Sequence, residues 1–326
     1  MPEVRIDPLS GHKTIIAGER SMRPGGEPTC APADPIDPET DPFAEGHEQR
    51  TPPEIYALRE QGSAPDTPGW GVRVVPNLYP ALVPGSPAPA ASANPELFSA
   101  RAASGSHEVI VNGPQSVLSL SELSVEQVIS AVEVWRKRMR AHSQCAYTQL
   151  IVNERREAGA SLPHTHSQLY GLEFVPGDVA RERERFGAYA SRTMGQNLLG
   201  DLVAEEVRLD QRIVAIDEEA VLMAPYGSRL PFQLMLAPRT PRARFEDDGP
   251  TGAALLHDGL CRLARHLGCS PPLNLWVRTA PQGAEHFCWR IDVMPRLTHL
   301  AGLELSTGVN LNIVAPEHAA AQLRNA

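Results

Sequence analysis

The sequence predicts an α+β protein of two tandem subdomains, each an antiparallel sheet with a helix packed on it. Three observations lead there. The chain has 326 residues, beyond the ~250–300 at which one hydrophobic core stops growing. Hydrophobic residues make up 42% of it, enough to bury a real core. The segments beginning at Ser124, Thr148 and His164 return at Thr251, Leu273 and Cys288, offsets of 127, 125 and 124 residues. Such similar offsets indicate a duplicated unit. The expected subdomains are residues 1–177 and 178–326.

Along the chain, two proline-rich stretches come first, residues 24–53 and 80–95. Proline accounts for 31 residues, about twice its usual share, and both stretches read as surface loops. Between them WGVRVVPNLYPAL has the β-branched content of a strand entering a turn. A helix follows at SVEQVISAVEVWRKRMRAH. Ser124 is its N-cap and Gln127 completes a capping box. Val128, Val132, Trp135 and Met139 share one face. Arg136, Lys137, Arg138 and Arg140 read as a solvated, dipole-matched end. In the second half AVLMAPYGSRLPFQLMLAPR echoes the strand and turn around Pro76, and a helix over 251–267 echoes the first. LNLWVRTAP echoes TQLIVNE, and CWRIDVMP echoes HTHSQLYGLEFVP. His164, His166 and Gln168 then correspond to Cys288, Arg290 and Asp292. One half keeps a chemical triad that the other has lost.

Composition excludes some functions. A net charge of −9 and a pI near 5.7 argue against a nucleic-acid surface. No apolar run approaches the ~18 residues of a membrane span, and MPEVRIDPLSGHK has no signal core. The five cysteines are scattered without a C-x-x-C pair, which suggests neither a disulfide framework nor a cysteine zinc site. A cytoplasmic protein is expected, with Cys145, Cys261 and Cys269 as buried small hydrophobes.

The chemistry concentrates in Ser161-Leu-Pro-His164-Thr-His166-Ser-Gln168. On an extended strand the two histidines and Gln168 share a face. The preceding Asn153-Glu-Arg-Arg-Glu-Ala-Gly159 brings a turn with backbone and side-chain donors. A neutral imidazole, with a free pKa of ~6.5, is able to attack phosphorus and hold it covalently. A backbone acceptor on its other nitrogen fixes the tautomer. Gln168 can donate to a phosphoryl oxygen as charge develops. It cannot shuttle protons, so such a site favours a phosphate acceptor over water. From spacing alone, H-x-H also reads as a metal pair or as two satisfied structural histidines.

These motifs resemble the galactose-1-phosphate uridylyltransferase family of the histidine-triad superfamily. The resemblance is carried by Asp7-Pro8-Leu-Ser-Gly, Glu19-Arg20-Ser-Met-Arg23-Pro24, Thr51-Pro52-Pro53-Glu54, Arg73-Val-Val-Pro-Asn77, Gly105-Ser-His107-Glu and Asn153 to Gln168. Weaker pieces are Pro295-Arg296, Ala301-Gly302-Leu-Glu304 and Pro316-Glu-His. It implies a histidine-triad-like fold in both subdomains, and a homodimer whose second subunit completes the pocket. His166 then looks like the nucleophile. Gln168 and Ser161 look like phosphate contacts, and Asn77 and Asn153 like contacts to the nucleoside and its α-phosphate. Arg20 and Arg23 resemble the arginines that receive the sugar phosphate, and Glu304 stands at the sugar-recognition end. His107 and His164 resemble ligands of a structural zinc; no organic cofactor is implied.

Three departures stand out. Where the family's Cys-Pro-Phe-Cys completes the zinc site, this chain has Asp41-Pro-Phe43-Ala44-Glu-Gly46-His47. Asp41 is a permitted ligand and Ala44 is not. His47, or Cys30 on a folded-back loop, is a substitute, and a metal-free, hydrogen-bonded site is the alternative. A second metal site looks damaged, because Arg290 and Asp292 stand where histidines are expected. After Glu304, Thr307-Gly308-Val-Asn310 looks more like related nucleotide-sugar phosphorylases and offers contacts for an acceptor phosphate. The expected function is nucleotidyl transfer from a nucleotide-sugar to a sugar-1-phosphate through His166. Alternatives are a phosphorylase using inorganic phosphate, and a non-catalytic nucleotide binder.

Overall fold

The computed structural model describes residues 1–22, 28–59, 61–247 and 249–326; Arg23 lies outside them. The chain is α+β. Strands β1 (Glu3–Ile6) and β2 (Lys13–Ile16) form a hairpin. β3 (Tyr56–Arg59), β4 (Trp70–Pro76) and β5 (Gly105–Val111) precede helix α1 (Val125–Ala141), β6 (Tyr147–Glu154) and β7 (His166–Leu172). Helices α2 (Gly177–Arg192) and α3 (Leu198–Leu209) lead to β8 (Ile213–Ile216), β9 (Ala220–Met223) and β10 (Leu234–Pro238). Then come α4 (Ala253–Leu267), β11 (Leu273–Arg278), β12 (Arg290–Pro295), α5 (Gly302–Thr307), β13 (Asn310–Asn312) and α6 (Pro316–Arg324).

Ten strands form one antiparallel sheet in the order β3-β4-β5-β7-β6-β11-β12-β10-β9-β8. The order β4-β5-β7-β6 is followed by its counterpart run backwards, β11-β12-β10-β9, with β6 and β11 paired at the junction. His166 opens β7 and Arg290 opens β12, the positions that the sequence offsets equate.

Alternation along the strands decides the two faces. Leu150 and Val152 of β6, Leu169 of β7, Leu275 and Val277 of β11 and Ile291 and Val293 of β12 point to one side. There they are buried with Val128, Val132, Trp135 and Met139 of α1 and Leu256, Leu260 and Leu263 of α4. Each such side chain contributes ~1.5–3 kcal/mol. The intervening residues, His166, Gln168, Asn153, Asn274, Trp276 and Asp292, face the other side. A second, three-stranded sheet in the order β1-β2-β13, with β13 parallel to β2, joins the two ends of the chain.

Several expectations change. Ser124 caps α1 by accepting from Gln127 N–H at 3.2 Å. The Gln127 amide, however, donates to the carbonyls of Gly71 and Asn112 at 2.7 and 2.6 Å, because the sheet offers it buried acceptors. The basic end of α1 is only partly solvated, with Lys137 and Arg140 exposed. Arg138 grips Glu108 of β5 at 2.9 and 2.7 Å, Arg136 donates to the Asp247 carbonyl, and Lys137 sits 4.2 Å over the Tyr56 ring. Within residues 28–53, Asp41, Phe43, Ala44 and Glu48 are buried, so this stretch is partly a wall rather than a surface loop. Cys30 is joined to Cys269 in a disulfide, with Cα atoms 6.3 Å apart and a sequence separation of 239. Spacing along the chain gives no sign of that pairing. Among the described residues no helix is long and apolar enough to cross a membrane.

Candidate active site

The side chains of β7 define the site. His166 Nδ1 lies 2.7 Å from the His164 carbonyl. A carbonyl only accepts, so Nδ1 carries the proton and Nε2 keeps the lone pair of the neutral ring. The ring meets Phe43 edge-on, with centroids 5.2 Å apart. Burial is the main influence on its pKa and lowers it; the carbonyl's opposing effect is smaller. His166 is 4% exposed, yet it lines a cavity of about 430 Å³ with Phe43, Arg50, Asn77, Ser161 and Gln168.

Gln168 is oriented by a network. Ala81 N–H donates to His107 Nδ1 at 3.1 Å, which places the proton of a neutral His107 on Nε2. That N–H donates to Gln168 Oε1 at 2.9 Å. Burial lowers the His107 pKa and favours this neutral form. Tyr170 OH donates to the same Oε1 at 2.9 Å, and its ring stacks on His107 at 4.1 Å. With the oxygen held twice, the Gln168 amide nitrogen is left as the donor for a ligand oxygen. Asn77 Oδ1 accepts from Tyr79 N–H at 2.9 Å, folding a tight turn at the cavity wall. Gly159 takes φ +93°, a left-handed conformation suited to glycine, and closes the turn before Ser161.

The zinc ligands implied by the resemblance are not brought together. His164 is fully buried. Its Nδ1 lies 2.7 Å from Asp41 Oδ2 and its Nε2 2.9 Å from the Gly113 carbonyl. Each ring nitrogen therefore faces an oxygen acceptor, and neither offers a lone pair to a metal. Asp41 also accepts from Ser116 Oγ at 2.7 Å and Phe43 N–H at 2.9 Å. Burial pushes its carboxyl up, but these hydrogen bonds, His164 foremost, hold it below the ordinary aspartate value. His107 serves Gln168 instead, and His47 Nδ1 meets the Asp41 carbonyl at 2.8 Å. Among the described residues no three His, Cys, Asp or Glu side chains are grouped to hold a metal. The residues present do not fit zinc. At the equivalent place in the second half, Arg290 clamps Glu182 of α2 with two 2.9 Å bonds and donates to Asp292 at 3.0 Å.

The remaining predicted residues divide between cavities. Asn77, Ser161, His166 and Gln168 share one. Asn153 lines a neighbouring cavity and accepts from Asn274 at 2.8 Å. Arg20 and Glu304 come together in a third, about 800 Å³ in volume, and Glu304 also caps α5 through Ala301 N–H at 3.0 Å. Sequence reasoning missed Arg50, a cation that lines the same cavity as His166. Its one trace was the adjoining Thr51-Pro52-Pro53-Glu54.

A sequence profile described as galactose-1-phosphate uridyl transferase, N-terminal domain, matches residues 1–176, and a domain of unknown function, DUF4921, matches 103–326. The chain belongs to the galactose-1-phosphate uridylyltransferase family. It is 28% identical to ADP-glucose phosphorylase of Arabidopsis thaliana over 99% of this chain and 92% of that one. It is also 28% identical to galactose-1-phosphate uridylyltransferase of Haemophilus influenzae, over 77% and 75%. The crystal structure of the Arabidopsis phosphorylase with bound ADP-glucose superposes with a TM-score of 0.80 at 26% identity, covering 100% and 99% of the two chains. A uridylyltransferase structure at 23% identity shares the fold, with a TM-score of 0.76 over 100% and 98%.

Proposed function

We propose that this protein is a nucleotide-sugar phosphorylase that works through a nucleotidyl-His166 intermediate. The observation that carries the reading is His166 itself: a neutral ring, tautomer fixed by the His164 carbonyl, lining a cavity beside a Gln168 amide with its oxygen already held. Nε2 attacks the α-phosphorus of the nucleotide-sugar, and the P–O bond to the sugar-1-phosphate breaks as the P–N bond forms. No proton moves on the ring, because Nδ1 keeps its hydrogen, donated to the His164 carbonyl throughout. The Gln168 amide and the Arg50 guanidinium meet charge developing on the phosphoryl oxygens. Free phosphate then takes the nucleotidyl group. The match to ADP-glucose phosphorylase, 28% identical over 99% of this chain, supports phosphate as acceptor.

A second reading takes a hexose-1-phosphate as acceptor, supported by the family transferases. In either reading the protein acts as a homodimer, since Arg20 and Glu304 line a different cavity from His166 and a second copy is what would bring them to it. Sedimentation at a single chain's mass would remove that part. For the chemistry, the protein is incubated with ADP-glucose or UDP-glucose and examined by mass spectrometry. The expected product is an acid-labile nucleotidyl adduct on His166, absent in His166→Gly, and discharged by phosphate to nucleoside diphosphate. Discharge by hexose-1-phosphate alone selects the transferase. Nucleotide binding with no adduct selects a non-catalytic binder.

A further inference from the structure

The Cys30–Cys269 disulfide lies outside the His166 cavity but fastens a stretch that walls it. Both cysteines are half-buried. Cys30 lines a separate cavity of about 650 Å³ with Phe232, His266 and His318, which gives a thiol a route to the bond. Accessible disulfides are the exchangeable ones.

Two lines of contact run from the bond to the site. Residues 31–40 are exposed except for the half-buried Ile36. They are anchored at one end by the disulfide and at the other by the buried Asp41. Glu39, on this stretch, accepts from Arg50 Nη1 at 2.6 Å, so the tether helps to hold a guanidinium of the His166 cavity. The second line is Arg155. It is buried and takes φ +69° and ψ 159°, a backbone region that residues other than glycine occupy only when their surroundings hold them there. Its guanidinium donates to the Ala31 carbonyl at 2.8 Å, to the Ser270 carbonyl at 3.2 Å and to Cys30 Sγ at 3.5 Å. Its own carbonyl accepts from Ala158 and Ala160 N–H at 3.2 and 3.1 Å, forming the turn that ends at Ser161 in the cavity wall. Residues beside both halves of the disulfide therefore hold this turn.

We infer that Cys30–Cys269 is a thiol-exchange site that switches the His166 cavity: the oxidised pair holds Arg50 and Ser161 in place, and the reduced pair releases them. Its partner is a dithiol, and the effect on catalysis rests on the reading of His166 given above. One thiolate of the dithiol attacks Cys269 Sγ. The new S–S bond forms as the Cys30–Cys269 bond breaks, and Cys30 leaves as a thiolate beside the Arg155 guanidinium, which stabilises that charge. The second thiolate of the dithiol then displaces Cys269. The dithiol is oxidised to its cyclic disulfide, the two cysteines are reduced, and the two protons the dithiol loses end on them.

The test treats the full chain with oxidised glutathione or with dithiothreitol and then desalts it. Maleimide labelling in urea, read by mass spectrometry, counts the thiols. Three are expected after oxidation, Cys145, Cys261 and Cys288, with Cys30 and Cys269 added when dithiothreitol acts on the folded protein. Half-saturation by ADP-glucose in adduct formation is expected to rise about 3–10-fold on reduction, the effect of about one loosened hydrogen bond, and to return on reoxidation. Cys269→Ser is expected to show the weaker value under both treatments; Cys30→Ser serves if it does not fold. Cys30 and Cys269 still free after oxidation, a bond that dithiothreitol opens only in urea, or one half-saturation for both forms overturns the switch. So does a response to dithiothreitol that persists in the serine variant. If the wild type forms no adduct in either state, the reading of His166 fails, and calorimetric titration of ADP-glucose judges the switch. Weaker binding by the reduced protein then upholds it, and equal affinity or no binding overturns it.

Discussion

His107 donates its Nε2–H at 2.9 Å to the side-chain oxygen of Gln168, the residue two positions after His166 on the same strand. The contact makes His107 a positioning residue. Replacing it with phenylalanine keeps a ring against Tyr170 and removes the donor. One hydrogen bond of this kind contributes ~0.5–1.5 kcal/mol. His107→Phe is therefore expected to lower kcat for nucleotide transfer about 3–10-fold with little change in KM for the nucleotide-sugar. Steady-state kinetics at several donor concentrations check it; a KM effect with normal kcat would assign His107 to ground-state binding.

The His166 lone pair sets the acid limit of the reaction. Burial is the main cause that holds its pKa below the ~6.5 of a free imidazole. Protonation removes the nucleophile, so activity falls as pH drops through that lowered value. The rate of adduct formation is expected to stay flat from pH 8 to 6.5 and to fall only in more acidic buffer. A half-point above pH 7 in the pH–rate profile would contradict this.

The strand H-x-H-x-Q was legible because period-two alternation puts alternate residues on one face, and the duplication was legible because its offsets are nearly constant. What escaped the sequence depends on contacts between distant segments. Asp41 and His164 are 123 residues apart, and nothing local tells a hydrogen-bonded pair from a metal-binding one. Arg229 and Arg296 meet Asn153 only through the sheet order. His107 lies on β5, paired across from Tyr170. That register aims its ring at Gln168, which no spacing along the chain reveals.

Asp41 and His164 meet in a hydrogen bond where the resemblance implies a metal site. The purified protein is expected to carry well under one zinc per chain, and a chelator is expected to leave its melting temperature unchanged. Elemental analysis and a thermal melt check both. Asp41→Ala leaves His164 fully buried without its carboxylate, and breaking a buried pair costs ~3–5 kcal/mol. Urea unfolding of the variant should show a loss of that order, and Asp41→Asn a smaller one. Because the Asp41 carboxyl is held below its ordinary value, its contribution is present above the unfolded pKa and is lost as pH falls through the folded one.

Glu154, at the end of β6, ties the site to pH in the opposite sense. One oxygen accepts from Leu120 N–H at 2.7 Å and from Thr165, between the two histidines, at 3.4 Å. The other oxygen is buried with no partner. Burial raises the carboxyl to about 7, against smaller opposing hydrogen bonds. In the unfolded chain it titrates near ~4.3, so between these values the folded state binds more protons and stability falls as pH rises. Above neutrality the folded protein carries the full cost of a buried carboxylate. Glu154→Gln has nothing to ionise and nearly the same shape. It is expected to match the wild type near pH 4 and to gain about 2–3 kcal/mol on it between pH 5 and 8. Urea unfolding at several pH values checks it. Parallel stability curves for the two proteins would mean that Glu154 ionises at its ordinary value, with water on the unpartnered oxygen.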